Sequence, residues 1–317
     1  MAINWSGVFP ALTTKFTNND DLDFEMFKVN LHAQLQAGVH GIILGGSLGE
    51  ASVLTTEEKS ALVKFAVEYI ENKIPVILNI AEGATREAIN QAALAKAWGC
   101  KAIMALPPMR YKSDDRETVA YFKAIANSTD LPVMIYNNPV DYKIEVTPDM
   151  FAELIECENI QAVKESTRDV TNVTRMINRF GERLKILCGV DTLAMEELLM
   201  GAHGWVAGLV CAFPAETMSV YNLVKAARIK EATEIYRWFM PLLELDIHPK
   251  LVQYIKLAET QEGIGTEQVR GPRLTLAGEE RKRILKIIND SISSRPDLNK
   301  YSQPGKIYHA SMESMSL

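Results

Sequence analysis

A chain of 317 residues that is 47% hydrophobic can bury one large core, and eight-fold barrels run to about 250 residues as one domain, so two unrelated domains are not required. A formal charge of -6 with no basic run argues against a nucleic-acid surface, which needs clustered Lys and Arg, and leaves a small molecule as the expected partner. No apolar stretch is long enough to cross a membrane, and MAINWSGVFPALTTKF lacks a charged region followed by a long apolar one, so the reading is a cytoplasmic protein.

In chain order, short β-branched or apolar runs alternate with helical patterns. The runs are GVFPALT from Gly7, GIILG from Gly41, PVILNI from Pro75, AIMAL from Ala102, PVMIYN from Pro132, IQAVKE from Ile160, KILCG from Lys185 and WVAGLV from Trp205. Strands alternating with helices in this number predict an α/β fold, a parallel (β/α)8 barrel (TIM barrel) over residues 1–226. Thr55 and Glu58 have capping-box spacing ahead of KSALVKFAVEYI, and Thr147 before Pro148 opens another helix. Gly99, Gly181 and Gly201 fall just past helical runs, where a residue of positive φ closes the last turn. From Ala227 the strand signal stops, and KEATEIYRWFMPLLEL, KLVQYIKLAETQ and EERKRILKIINDSI predict a C-terminal helical domain over 227–293. The aperiodic remainder, 294–317, reads as an extended tail.

Barrel chemistry sits at the C-terminal ends of the strands. There, Lys164 lies within IQAVKES, an apolar run of the kind buried on both faces, and lysine is seldom fully buried without a partner. Desolvation disfavours the ammonium, and a neutral amine attacks carbonyl carbon, which makes Lys164 the candidate nucleophile. The competing reading is a strand-end lysine that snorkels to solvent or pairs with Glu165. Tyr136 closes the preceding strand, within side-chain reach, and a phenol there can relay protons. GGSLGE, Gly45 to Glu50, offers loop N–H groups to a carboxylate.

Other chemistries find less support. The histidines His32, His40, His203, His248 and His309 have neither HxH nor HExxH spacing, and Cys100, Cys157, Cys188 and Cys211 have no CxxC spacing, so no metal site is suggested and the cysteines read as buried reduced thiols. Walker and GxGxxG motifs do not occur, and the expectation is a mechanism with no cofactor beyond a covalent lysine.

Taken together, GGSLGE, the proline-containing loop after the fourth run, YNNP, VKES and CGVD stand in the same order and at the same strand ends as GTTGE or GSTGE, YNxP, (I/V)K(E/D)S and SGDD. The chain therefore resembles the superfamily of dihydrodipicolinate synthase and N-acetylneuraminate lyase, Schiff-base aldolase-like enzymes. The resemblance implies a barrel with a helical C-terminal domain, a homotetramer, and a lysine that forms a Schiff base with pyruvate or a related 2-oxo acid. Position by position it assigns the Schiff base to Lys164, the catalytic phenol to Tyr136, the carboxylate-binding loop to Gly46, Ser47 and Leu48, and a strand-eight backbone position to Val206.

Three departures bear on the substrate. Leu48 stands where the family has a second hydroxyl residue. Met109 and Arg110 replace the Tyr-Tyr pair of the synthases, with Tyr111 displaced by one. Asp141 aligns with the arginine that such synthases use for aspartate semialdehyde. With Arg110, Tyr111 and Asp141 as expected substrate-facing residues, the resemblance implies a catabolic lyase rather than a true synthase. Its branch acting on 1-pyrroline-4-hydroxy-2-carboxylate, a cyclic imino acid, supplies the leading expectation. A pyruvate-dependent aldolase of the 2-keto-3-deoxy sugar acid or N-acetylneuraminate type is the alternative, and a barrel that only binds is a third reading.

Overall fold

The computed structural model describes residues 3–108 and 111–301. Eight parallel strands follow the chain order of the predicted runs: β1 (Gly7–Pro10), β2 (Ile42–Leu44), β3 (Val76–Ile80), β4 (Ala102–Ala105), β5 (Val133–Asn137), β6 (Ile160–Glu165), β7 (Lys185–Cys188) and β8 (Gly204–Ala207). Each pairs with its sequence neighbour, β1 pairs with β8, and an Ala11–Ile43 bridge brings β1 back to β2. The strands form a (β/α)8 barrel with surrounding helices and a C-terminal helical part, the fold class expected.

The helices are α1 (Phe24–Ala37), α2 (Thr56–Ile70), α3 (Thr85–Ala97), α4 (Asp115–Asn127), α5 (Pro139–Tyr142), α6 (Pro148–Leu154), α7 (Thr171–Phe180), α8 (Ala194–Leu199), α9 (Pro214–Lys225), α10 (Ile229–Leu243), α11 (Leu251–Gln261) and α12 (Gly278–Ser293). Local chemistry sets several ends. The Thr55–Glu58 capping box forms at the start of α2, and the Thr147 hydroxyl accepts from the Met150 amide ahead of Pro148. Gly99, Gly181 and Gly201 all have positive φ beyond α3, α7 and α8.

Strand periodicity sorts the apolar side chains into two cores. Phe9, Ile43, Ile77, Met104, Met134 and Leu187 fill the barrel interior, while Val8, Ile42, Leu78, Ile103, Val163 and Ile186 face the helices. The eighth run also ends earlier than its apolar pattern predicts. WVAGLV continues as strand only to Ala207, and Leu209–Cys211 forms a 3-10 turn. The Gly208 and Leu209 amides turn to the Asp191 carboxylate, Leu209 at 2.7 Å, instead of extending the ladder.

The helical part reaches the C-terminal face of the barrel through two buried ion pairs. Lys15 Nζ lies 2.6 Å from Glu259 Oε1 and Lys256 Nζ lies 2.5 Å from Glu50 Oε1, all four side chains being fully buried. Thr13 also donates to Glu259, at 2.7 Å. Helix α11 is thereby fixed over the ends of β1 and β2. Beyond α12, Leu298–Tyr301 forms a turn whose Tyr301 carbonyl accepts from Arg228 Nη1 at 2.7 Å; residues 302–317 of the expected tail lie outside the described residues.

Candidate active site

Side chains alternate across a strand, so Met134 and Tyr136 face inward on β5 and Ala162 and Lys164 face inward on β6. Tyr136 and Lys164 are also direct partners in the ladder. The result is a lysine Nζ 4.1 Å from the Tyr136 ring centroid, with Lys164 only 8% and Tyr136 only 9% exposed. Glu165, the next residue, faces the helices instead. It accepts from the Thr167 amide at 2.8 Å and from Asn172 Nδ2 at 3.0 Å, so it is not the partner of Lys164.

Both groups open into a cavity of about 490 Å³ at the C-terminal face, lined also by Gly46, Ser47, Leu48, Asp141 and Val206. The tight approach of β7 makes the Lys164 stem rigid. A Cβ added at Gly189 would lie 2.7 Å from Lys164 Cγ and 2.1 Å from Ser166 Oγ, so only glycine fits there. Ser166 Oγ is buried at the edge of the same cavity, where its hydroxyl helps hold the Tyr136 pKa down.

Burial lowers the pKa of the Lys164 ammonium, with Asp246, Tyr142 and Asp191 pulling the other way. Burial likewise pushes the Tyr136 phenol up to about 12, opposed by the hydrogen bond from Asn138 Nδ2 at 3.2 Å. The lysine is thus biased toward the nucleophilic amine while the phenol keeps its proton. Asp191 sits behind them, held by Trp205 Nε1 at 2.8 Å and by the Gly208 and Leu209 amides.

The carboxylate-loop candidates are held by the fold around them. Asn79 Nδ2 donates to the Gly45 carbonyl at 3.0 Å, and the Thr14 hydroxyl to the Gly49 carbonyl at 2.6 Å. Glu50 takes a left-handed φ of 55°, unusual for a residue with a side chain, while its carboxylate is bound by Lys256 and the Arg270 amide. Of the other candidates, Asp141 lines the cavity and its Oδ2 accepts from Asn138 Nδ2 at 2.8 Å. Tyr111 is 55% exposed and outside the lining. Arg110 lies outside the described residues.

Three cavity residues escaped the sequence reading. Tyr142 hydrogen-bonds Ser47 Oγ at 2.5 Å and meets the Tyr136 ring edge-on at 5.5 Å between centroids. Its position depends on α5, a single turn started by the Asn138 cap and Pro139. The Asn-Pro pair was the available signal. Arg168, at φ 64°, and Asp246, from the turn after α10, also line the cavity, and neither belongs to a recognisable motif. Among the described residues no group of three or more His, Cys, Asp or Glu is arranged to hold a metal ion.

Tyr136→Phe tests the phenol directly. The ring stays, so folding should be unchanged, while turnover should fall roughly 10²-fold or more, the scale for a positioned acid or base. Undiminished turnover would make Tyr136 a packing residue.

The chain is similar to known proteins. The model of the dihydrodipicolinate synthetase family matches residues 4–291. The chain is 30% identical over 275 residues to the 4-hydroxy-tetrahydrodipicolinate synthase of Exiguobacterium sibiricum, covering 86% of this chain and 92% of that protein. It is 33% identical over 221 residues to an uncharacterized DapA-like lyase of Rhizobium meliloti, covering 70% and 73%. Among solved structures it is similar to dihydrodipicolinate synthase DapA-2 of Bacillus anthracis, with TM-score 0.88 and 28% identity over 93% of this chain and all, 100%, of that one. It is also similar to the dihydrodipicolinate synthase of Aquifex aeolicus, with TM-score 0.86 and 27% identity over 90% and 97%.

Proposed function

From the premise that this chain belongs to the dihydrodipicolinate synthetase family, whose members are lyases and aldolases, we propose that the enzyme forms a Schiff base between Lys164 and a small 2-oxo acid or cyclic imino acid. We further propose that it expels a hydroxyl from C4, with 1-pyrroline-4-hydroxy-2-carboxylate as the leading substrate. The observation that carries this reading is the pair of Lys164, desolvated and biased toward its amine, and Tyr136, protonated, 4.1 Å from Nζ to ring centroid in one cavity.

The chemistry follows from those two states. The amine adds to C2, and the Tyr136 phenol, held by Asn138, relays the proton that converts the carbinolamine to an iminium. The iminium acidifies C3, and loss of a C3 proton gives an enamine. Backbone amides of Gly46 to Leu48 are suited to hold the C1 carboxylate. For a cyclic imine, attack at C2 releases the ring nitrogen as an amine on C5. Elimination from C4, tautomerisation and hydrolysis then yield ammonia and 2-oxoglutarate semialdehyde. No cofactor is required by this route.

Asp141 supports a substrate without a carboxylate at the mouth, since an anion there repels one. Arg168 supplies a cation on the same rim. Condensation of pyruvate with aspartate semialdehyde is accordingly expected to be very slow, as measured with a coupled reductase. Robust synthase activity would show that Arg168 takes over from the missing arginine. A substrate panel with mass spectrometry of products decides the bond broken: ammonia and the semialdehyde support the deaminase. Free pyruvate from a hydroxylated 2-oxo acid, with the cyclic imine untouched, would replace it by the aldolase reading. A homotetramer and a cytoplasmic location belong to the same proposal; no helix among the described residues is long and apolar enough to cross a membrane.

A further inference from the structure

Elimination from C4 needs a proton for the departing oxygen; the Tyr136 phenol already serves the chemistry at C2, and neither Lys164 nor the amides of the 46–48 loop can supply it. Asp246 shares their cavity. It is carried by the 3-10 turn Glu244–Ile247 between α10 and α11, outside the barrel strands, yet it lines the cavity with Lys164 and Tyr136. A Cβ on Gly208 would fall 2.0 Å from Asp246 Oδ1, so the carboxyl is seated against the end of β8 at a distance that only glycine permits.

The other carboxyls of the cavity region are committed elsewhere. Asp191 accepts from Trp205 and from two backbone amides, which hold it as an acceptor. Asp141 is exposed and accepts from Asn138. Asp246, half-buried, has no hydrogen-bond donor or ion-pair partner within bonding distance among the described residues. Burial and then the charge of Asp191 raise its pKa well above the carboxylate range, against the pull of Lys164 and Arg168. One carboxyl saturated by donors and another deprived of them is the arrangement that separates a fixed anion from a proton donor.

We propose that Asp246 is the acid that protonates the C4 hydroxyl as it leaves, an assignment that rests on the Schiff-base elimination proposed above. The enamine electron pair moves into C3–C4 as the C4–O bond breaks. That bond's electrons stay with oxygen, and the Asp246 proton completes a water molecule. The C3 proton, taken up by the Tyr136 oxygen when the enamine forms, passes to Asp246 and restores the acid, so the net change is loss of water from C3 and C4. The helical part thereby contributes a catalytic residue.

The experiment compares wild type with Asp246→Asn and Asp246→Ala in three assays. Borohydride trapping of pyruvate and deuterium exchange at its methyl group report the Schiff base and enamine. They should stay within a few-fold of wild type, which also shows that the variants fold. Turnover of 1-pyrroline-4-hydroxy-2-carboxylate should fall roughly 10²- to 10⁴-fold. Its 4-fluoro counterpart, whose fluoride leaves without a proton, should be consumed at nearly the wild-type rate. Equal loss in trapping, exchange and elimination would overturn the proposal, because Asp246 would then be setting the lysine. So would an equally slow fluoro compound, or undiminished elimination. A wild-type enzyme that traps no 2-oxo acid would overturn the Schiff-base reading and this assignment with it, trapping without elimination by the wild type would overturn the C4-elimination reading and this assignment together, and undiminished elimination in the Asp246 variants would overturn the assignment alone.

Discussion

Lys164→Ala is expected to abolish borohydride trapping of every 2-oxo acid and to lower turnover on the order of 10⁴- to 10⁶-fold, the range reached when a covalent nucleophile is removed. The size of the effect follows from position. Lys164 is the lysine of the inner barrel face, its stem is clamped against Gly189, and its nitrogen lies over Tyr136. The other buried lysines, Lys15 and Lys256, are held in ion pairs with Glu259 and Glu50 and do not line the cavity. The pH dependence has a definite sign. Only the neutral amine attacks, and burial lowers its pKa, so trapping should rise with pH to a half-point below the ordinary lysine value of about 10.4. It should then fall away as pH drops through that lowered value. Intact-mass analysis after reduction measures both effects. An adduct that survives in Lys164→Ala, or a half-point at the ordinary lysine value, would remove Lys164 from the mechanism.

The second large effect is on stability. Glu259→Ala is expected to destabilise the fold by about 3–5 kcal/mol, because it leaves the Lys15 ammonium buried without its counter-ion. The pair is 2.6 Å apart with both side chains fully buried, and only the Thr13 hydroxyl would remain beside the charge. The same substitution loosens α11 from the end of β1, so thermal or denaturant unfolding of the intact chain reads it directly. The double variant Lys15→Met with Glu259→Leu should recover most of the loss. Replacing both charges by apolar groups removes the desolvation cost together with the attraction, which is often near neutral. A single variant within 1 kcal/mol of wild type, or a double variant no better than the single, would show that the pair is not the tie between helix and barrel.

The wider consequence concerns how the carboxylate loop is kept in shape. Glu50 holds a left-handed backbone conformation because Lys256, the Arg270 amide and, at 3.7 Å, Arg273 converge on its carboxylate. The helical part therefore fixes the loop at Glu50 and brings Asp246 into the cavity. Barrel strands position Lys164, and residues of the helical part complete the cavity around it.

Sequence by itself determined the features that depend on short-range pattern. Period-two alternation put Tyr136 and Lys164 on the inner face of consecutive parallel strands, and strand ends are where barrel chemistry gathers. Thr55 with Glu58 and Thr147 with Pro148 start helices because a cap is chemistry within three or four residues. What only the tertiary structure decided is who meets whom. Lys15 finds Glu259 across 244 residues and Lys256 finds Glu50 across 206. A hydrophobic period states which face is buried but says nothing of the partner that a buried charge will find. WVAGLV read as strand throughout, yet the Asp191 carboxylate draws the Gly208 and Leu209 amides out of the ladder. Tyr142 reaches Ser47 only because a one-turn helix reverses the chain after Asn138. Asp246 faces Lys164 only because α11 is anchored over the barrel mouth and Gly208 leaves room for a carboxyl. Each of these depends on the direction of a turn or on closure of a long loop, and neither is encoded by local propensity.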